Sequence, residues 1–241
     1  MKRFTKQLLS DTEEMTAYFT ELSRQCEIAE LWAYDDRTDR RTPELGLVLQ
    51  NVIAVNRCFN STYSLNEYLL NKALIRQQLQ NLVYLFAEIK NPFKVIRYIC
   101  YKGKSFNQLG LPSFTSFLEE LEPEYSGLKD LWTDSCSYVH PSGSNYDIST
   151  SEHSLRLLAG LDWNKQRKKT APVLKNFIKQ REKERREQMA ATLKAMYQLN
   201  LLIIKITNQG LQKMKDKIYQ SEKLKRNYRR SLKEVQATIK I

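Results

Sequence analysis

Glycine, proline, cysteine and histidine are all scarce: seven, six, four and two in 241 residues. So few glycines and prolines leave few turns, and the chain must be built from long elements. Cys26, Cys58, Cys100 and Cys136 stand alone without a CxxC pair, and with only two histidines they make no zinc or redox site. No metal or cofactor is therefore expected, and the cysteines read as free thiols, most of them buried, in a cytoplasmic protein. The apolar run "LLII" at Leu201–Ile204 is far shorter than the ~20 residues a membrane span takes. The basic start "MKRFTKQLLSDTEEM" has no apolar run behind it, so neither a secretory leader nor a membrane partner is expected. Gly-rich phosphate loops, HExxH and GxSxG are also missing, which removes the common nucleotide-binding, metalloprotease and α/β-hydrolase chemistries.

What is abundant is Lys, Glu, Gln and Leu, with no period-two alternation of apolar residues, and this predicts an all-α protein. Net charge is +12, but it is unevenly placed. Residues 161–241 carry 22 Lys and Arg against seven acidic residues, a net +15, while residues 1–160 are slightly acidic at −3. The division predicts a helical bundle over 1–160 and long basic helices over 161–241 that complete or extend it. Such asymmetry points to an anionic partner, nucleic acid first and an acidic protein or membrane surface second.

Helical spacing resolves further. Ser10 to Glu13 forms a capping-box pattern opening a helix over about Asp11–Trp32, with Met15, Tyr18, Phe19, Leu22, Cys26 and Ala29 on one side. Thr42-Pro43 opens a second helix, interrupted near Asn60-Ser61-Thr62. Ser64 with Glu67 caps a third that stops near Asn91-Pro92, with Leu65, Leu69, Leu79, Leu82, Val83 and Phe86 on its apolar side. Short helices follow in "FKVIRYICYKG", after Pro112, and over Leu128 to Val139. A long helix from Thr170-Ala171-Pro172 runs to Asn208 and is broken by Gly210. Beyond it, Leu211, Met214, Ile218, Tyr228, Leu232, Val235 and Ile239 recur as a coiled-coil-like seam, with "KLKRNYRR" in its middle left wet.

Two groups of residues could carry chemistry. His140, in "SYVHPSG", precedes a proline at a helix end, and an imidazole can exchange a proton near neutral pH. It could equally cap that helix. Arg76, Gln80 and Tyr84 are four apart and form a polar line on an otherwise apolar helix, with Arg97 on the next segment. A guanidinium offers a fixed fork for phosphate, but the same line could be an internal network that orders the bundle.

Taken together, Arg76 with Gln80, Asn91-Pro92, Arg97 and "WTDSCSYVHPS" from Trp132 to Ser142 resemble an uncharacterised bacterial branch of the HEPN (higher eukaryotes and prokaryotes nucleotide-binding) superfamily, over roughly residues 45–205. The resemblance implies an antiparallel helical bundle, a homodimer, and metal-independent RNA cleavage in a toxin or anti-phage defence setting, with an antitoxin or other protein as a further partner. His140, Arg76 and Arg97 would be catalytic, and Gln80, Tyr84, Ser137 and Ser142 would touch the substrate. Thr133 to Ser135 stand where the superfamily has an arginine before its histidine, so the cation would have to come from Arg76 or Arg97. The competing expectation is a helical module without catalysis that binds nucleic acid or a protein through its basic C-terminal helices.

Overall fold

In the computed structural model, residues 2–33, 44–65, 67–92, 94–100, 102–137 and 167–238 are described. Among them there are seven α-helices and no strand: α1 (Lys2–Ala33), α2 (Glu44–Ser64), α3 (Tyr68–Lys90), α4 (Phe114–Leu121), α5 (Leu128–Ser137), α6 (Arg167–Tyr219) and α7 (Glu222–Thr238). A π-helical turn at Ile96–Cys100 and a 3₁₀ turn at Asn107–Leu109 join α3 to α4.

Four helices form a ring, in the order α1, α2, α3, α6. The first three run antiparallel in succession: the Ser23 hydroxyl donates to the Gly46 carbonyl across α1–α2, and Asn51 bonds Asn81 across α2–α3. Helix α6 enters parallel to both its neighbours, with Gln78 of α3 beside Asn200 and Tyr18 of α1 beside Asn208. One contiguous core results, in which Phe19, Leu49, Leu79, Leu82, Met196 and Ile203 are all buried. Helices α4 and α5 lie outside the ring against α3, and α7 packs on α1 and α6. The basic C-terminal segment is thus partly core: Leu193, Leu199 and Ile206 of α6 complete the bundle.

Several boundaries move. The expected start at Asp11 gives way to a helix from Lys2, with Ser10 inside it. Asn60-Ser61-Thr62 does not interrupt α2, because the hydroxyls of Ser61, Thr62 and Ser64 bond the carbonyls of Arg57, Cys58 and Asn60 within the helix. Ser64 is therefore the end of α2 and not a cap for α3, and no side chain caps Tyr68. Leu65 (71% exposed) and Leu69 lie outside the core, and Tyr18 turns outward to Asn208. Of the described cysteines only Cys26 is buried; Cys58 is exposed and Cys136 intermediate.

Gly210 does not break the long helix, which runs on to Tyr219. It serves close packing instead, since a Cβ there would stand 2.7 Å from Ile89 Cδ1. The chain turns at Gln220-Ser221, so the seam belongs to two helices and not one continuous coiled coil. Leu211, Met214, Ile218 and Tyr228 are buried and Leu232 packs against the core, while the Val235 side chain and Ile239 are outside the described residues.

Candidate functional site

Arg76 and Tyr84, at the two ends of the polar line on α3, each meet an aromatic ring from the layer outside the ring of helices. The Arg76 guanidinium lies over the Trp132 ring of α5, 5.1 Å from its centroid, and its Nε is buried with no hydrogen-bond partner. One turn on, the Gln80 amide donates to the Tyr84 hydroxyl at 2.7 Å, and the Tyr84 ring faces Phe106 at 6.1 Å. One turn back, Lys72 pairs with Asp134 of α5. Trp132 in turn packs against Phe114 at 4.3 Å. The line is therefore the seat on which α5 and the Phe106 turn rest. Arg97 lies on the π-helical turn and Ser137 ends α5, but neither side chain is among those described; His140 and Ser142 are outside the described residues. Gln80 and Tyr84 are joined by a hydrogen bond, and Arg76 stands one turn before them on the same helix.

Two sets of largely buried polar groups escaped the sequence reading. Across α2, α3 and α6, Gln78 Nε2 donates to Asn200 Oδ1 at 2.7 Å, Asn200 Nδ2 to Asn56 Oδ1 at 3.0 Å, Asn81 Nδ2 to Gln78 Oε1 at 3.1 Å and Asn51 Nδ2 to Asn81 Oδ1 at 2.7 Å. The second set is a pair of carboxylates. Glu30, near the end of α1, accepts from the backbone N–H groups of Glu44 and Leu45 at 3.2 and 2.9 Å, supplying the acceptor that the first turn of α2 lacks. Burial pushes its carboxyl up to about 7, outweighing those N–H groups, which favour the charged form. Glu88 likewise accepts from Val95 and Ile96 N–H and holds the turn after α3. Both line a cavity of ≈ 260 Å³ with Lys213 and Lys217. The signal was available: Asn56, Gln78, Asn81, Asn200 and Glu30 all sit among apolar neighbours at helical spacing.

The strongest unpaired charge lies elsewhere. Helix α7 turns Leu224, Tyr228 and Leu232 inward; the Tyr228 ring meets Tyr219 edge-on, and Trp32 Nε1 donates to Ser231 Oγ at 3.1 Å. Opposite them, Lys223, Arg226, Arg229, Arg230 and Lys233 are exposed. Arg230 bonds Glu234, while the other four have no carboxylate partner among the described residues. Lys179 and Lys213 of α6 are likewise exposed. Among the described residues no helix is long and apolar enough to cross a membrane, and no cluster of His, Cys, Asp and Glu could hold a metal ion.

No family model, curated protein or solved structure matches the chain.

Proposed function

We propose that this protein is a helical nucleic-acid-binding module, with RNA as the preferred class, that grips phosphates through the exposed cations of α6 and α7. The observation that carries this reading is the outer face of α7. Four cations without carboxylate partners among the described residues, Lys223, Arg226, Arg229 and Lys233, share one side of a helix whose other side is docked on the bundle. A fixed array of that kind meets a phosphate chain without ordering four flexible segments first, and each contact releases counterions.

A HEPN-like ribonuclease in a toxin or defence system is the second reading, kept for one observation. Arg76 Nε is buried without a hydrogen-bond partner, so its guanidinium retains a donor that an anion could take. In that reading His140 exchanges the proton and Arg76 or Arg97 stabilises the phosphorane. Against it, the Arg76 line is occupied with packing.

Equilibrium binding to RNA across a salt series separates the readings. Affinity should fall about 10³-fold or more between 50 and 200 mM salt if six or more phosphates are held. Replacing Lys223, Arg226, Arg229 and Lys233 together by Gln should flatten the log–log slope by about 4. Salt-independent binding, or an unchanged slope in that variant, overturns the proposal. RNA cleavage without metal that His140→Ala abolishes would replace the module by the ribonuclease.

A further inference from the structure

Among the described residues two aromatic side chains are exposed, Tyr18 at 45% and Tyr219 at 42%. Tyr18 lies on the seam of α1 and α6, where its hydroxyl accepts from Asn208. Tyr219 stands at the corner where α6 ends and α7 begins, directly before the exposed cations Lys223 and Arg226 in the chain. The corner is fixed: the N–H groups of Gln220 and Ser221 donate to the Lys217 and Ile218 carbonyls, and the Tyr219 ring meets the buried Tyr228 at 84° with 6.4 Å between centroids. Lys225 reaches the same ring, its Nζ 5.8 Å from the centroid, while it pairs with Glu222. A flat ring open to water and flanked by cations is the combination that holds an unpaired base together with its phosphate. Little ordering is needed on binding, because the neighbours of Tyr219 already hold it.

We infer that the α7 surface takes single strands in preference to duplexes, and that Tyr219 makes the choice by stacking on one unpaired base while Lys223, Arg226, Arg229 and Lys233 hold neighbouring phosphates. The inference rests on the nucleic-acid reading above and adds to it the class of strand. Inside a duplex both faces of each base are covered by its neighbours, and the deep, narrow major groove of A-form RNA keeps side chains from the base edges. A duplex would meet the cations and leave Tyr219 without a partner, unless a base were first pulled from the stack at a cost. Charge alone ranks the two ligands the other way, since a duplex carries its phosphates at higher density. A preference for the single strand therefore isolates the stacking.

The probe is a fifteen-nucleotide RNA of A and C only, which cannot pair with itself, set against the duplex it forms with its complement. Full-length protein should bind the single strand about tenfold more tightly than the duplex. Tyr219→Ala should weaken the single strand about tenfold and leave the duplex as it was. The slope of log affinity against log salt should stay the same, because no phosphate contact is lost. Tyr219→Leu keeps an apolar side chain against Tyr228 and should lose as much, which separates stacking from a loosened α7. Tyr219→Trp should restore binding, with indole emission quenched by the single strand beyond any change in wild type. Tyr18→Ala should match wild type throughout. Equal affinity for strand and duplex overturns the inference and leaves the proposed function standing, as do equal losses on both ligands, or none, in Tyr219→Leu. Binding of neither ligand at low salt overturns the proposed function itself.

Discussion

The Arg76 guanidinium rests on the face of Trp132, with 5.1 Å between its carbon and the ring centroid, and so ties α3 to α5. A contact of this kind, partly shielded from water, contributes about 1 to 2 kcal/mol. Arg76→Gln should therefore lower stability in urea by about 1 kcal/mol, and Trp132→Ala by about 2 kcal/mol because it also opens a gap against Phe114. Both variants should bind RNA with wild-type affinity. If Arg76 instead holds phosphate through its fork, Arg76→Lys will weaken binding more than about tenfold while leaving the melting curve in place.

Glu30 gives the stability a dependence on pH. Its carboxyl is raised from 4.5 to about 7 in the fold, chiefly by burial, with Glu44 adding to the rise. The folded state therefore binds the proton more tightly than the unfolded chain. This contribution is fully present below pH 4.5 and is lost as pH rises through about 7. The loss is on the order of 3 kcal/mol. Urea midpoints taken at pH 5 and pH 8 should differ more in wild type than in Glu30→Gln, which keeps an acceptor for the α2 N–H groups but cannot ionise. Equal pH dependence in the two proteins would assign the effect to other groups.

At Gly210 the backbone of α6 meets Ile89 of α3, and an added methyl would stand 2.7 and 2.8 Å from two of its carbons. Gly210→Ala gains about 1 kcal/mol of helix propensity but overpacks by about 1 to 3 kcal/mol. A net loss of about 1 kcal/mol is expected. Ile89→Val removes the nearest carbon, so the double variant should be more stable than the sum of its parts predicts, by about 1 kcal/mol.

Tyr228 anchors α7. It is 1% exposed, and burial pushes its hydroxyl up to about 12. Tyr228→Ala should cost about 3 kcal/mol and loosen α7 before the bundle. Hydrogen exchange should then accelerate across residues 222–238 and not across α3. Uniform acceleration over both helices would mean that α7 is part of the cooperative core.

The class of fold was legible because nothing in the sequence competed with helical periodicity. The ends of the helices were less so. Ser10, Ser61 and Ser64 look like caps and breakers in the sequence, yet Ser61 and Ser64 satisfy their hydroxyls within α2, and α1 begins ahead of Ser10 because it extends along the bundle. Gly210 was misread for a related reason: the spacing of α3 against α6, which demands a missing side chain, is a property of two helices and leaves no mark in either alone. The polar line Arg76–Gln80–Tyr84 was legible as a line, but its partners Trp132 and Phe106 come from segments whose placement no local pattern dictates. Glu30 was overlooked because a carboxylate on an apolar stripe reads as noise until the exposed backbone N–H groups of α2 are brought to it.

The chain of amides from Asn51 through Asn81, Gln78 and Asn200 to Asn56 has a consequence for competing packings of this sequence. Leucines and valines tolerate a helix sliding by one turn, about 5.4 Å, since one apolar neighbour replaces another. Amides do not: a slide of α6 would leave several of these donors and acceptors buried and unpaired, at about 1 to 3 kcal/mol each. The network contributes little net attraction in the native arrangement but penalises its near-misses heavily. The mismatch it creates, on the order of 5 kcal/mol when the bonds of Asn200 to Gln78 and Asn56 are lost, selects one alignment of the longest helix from the many that its apolar face alone would accept.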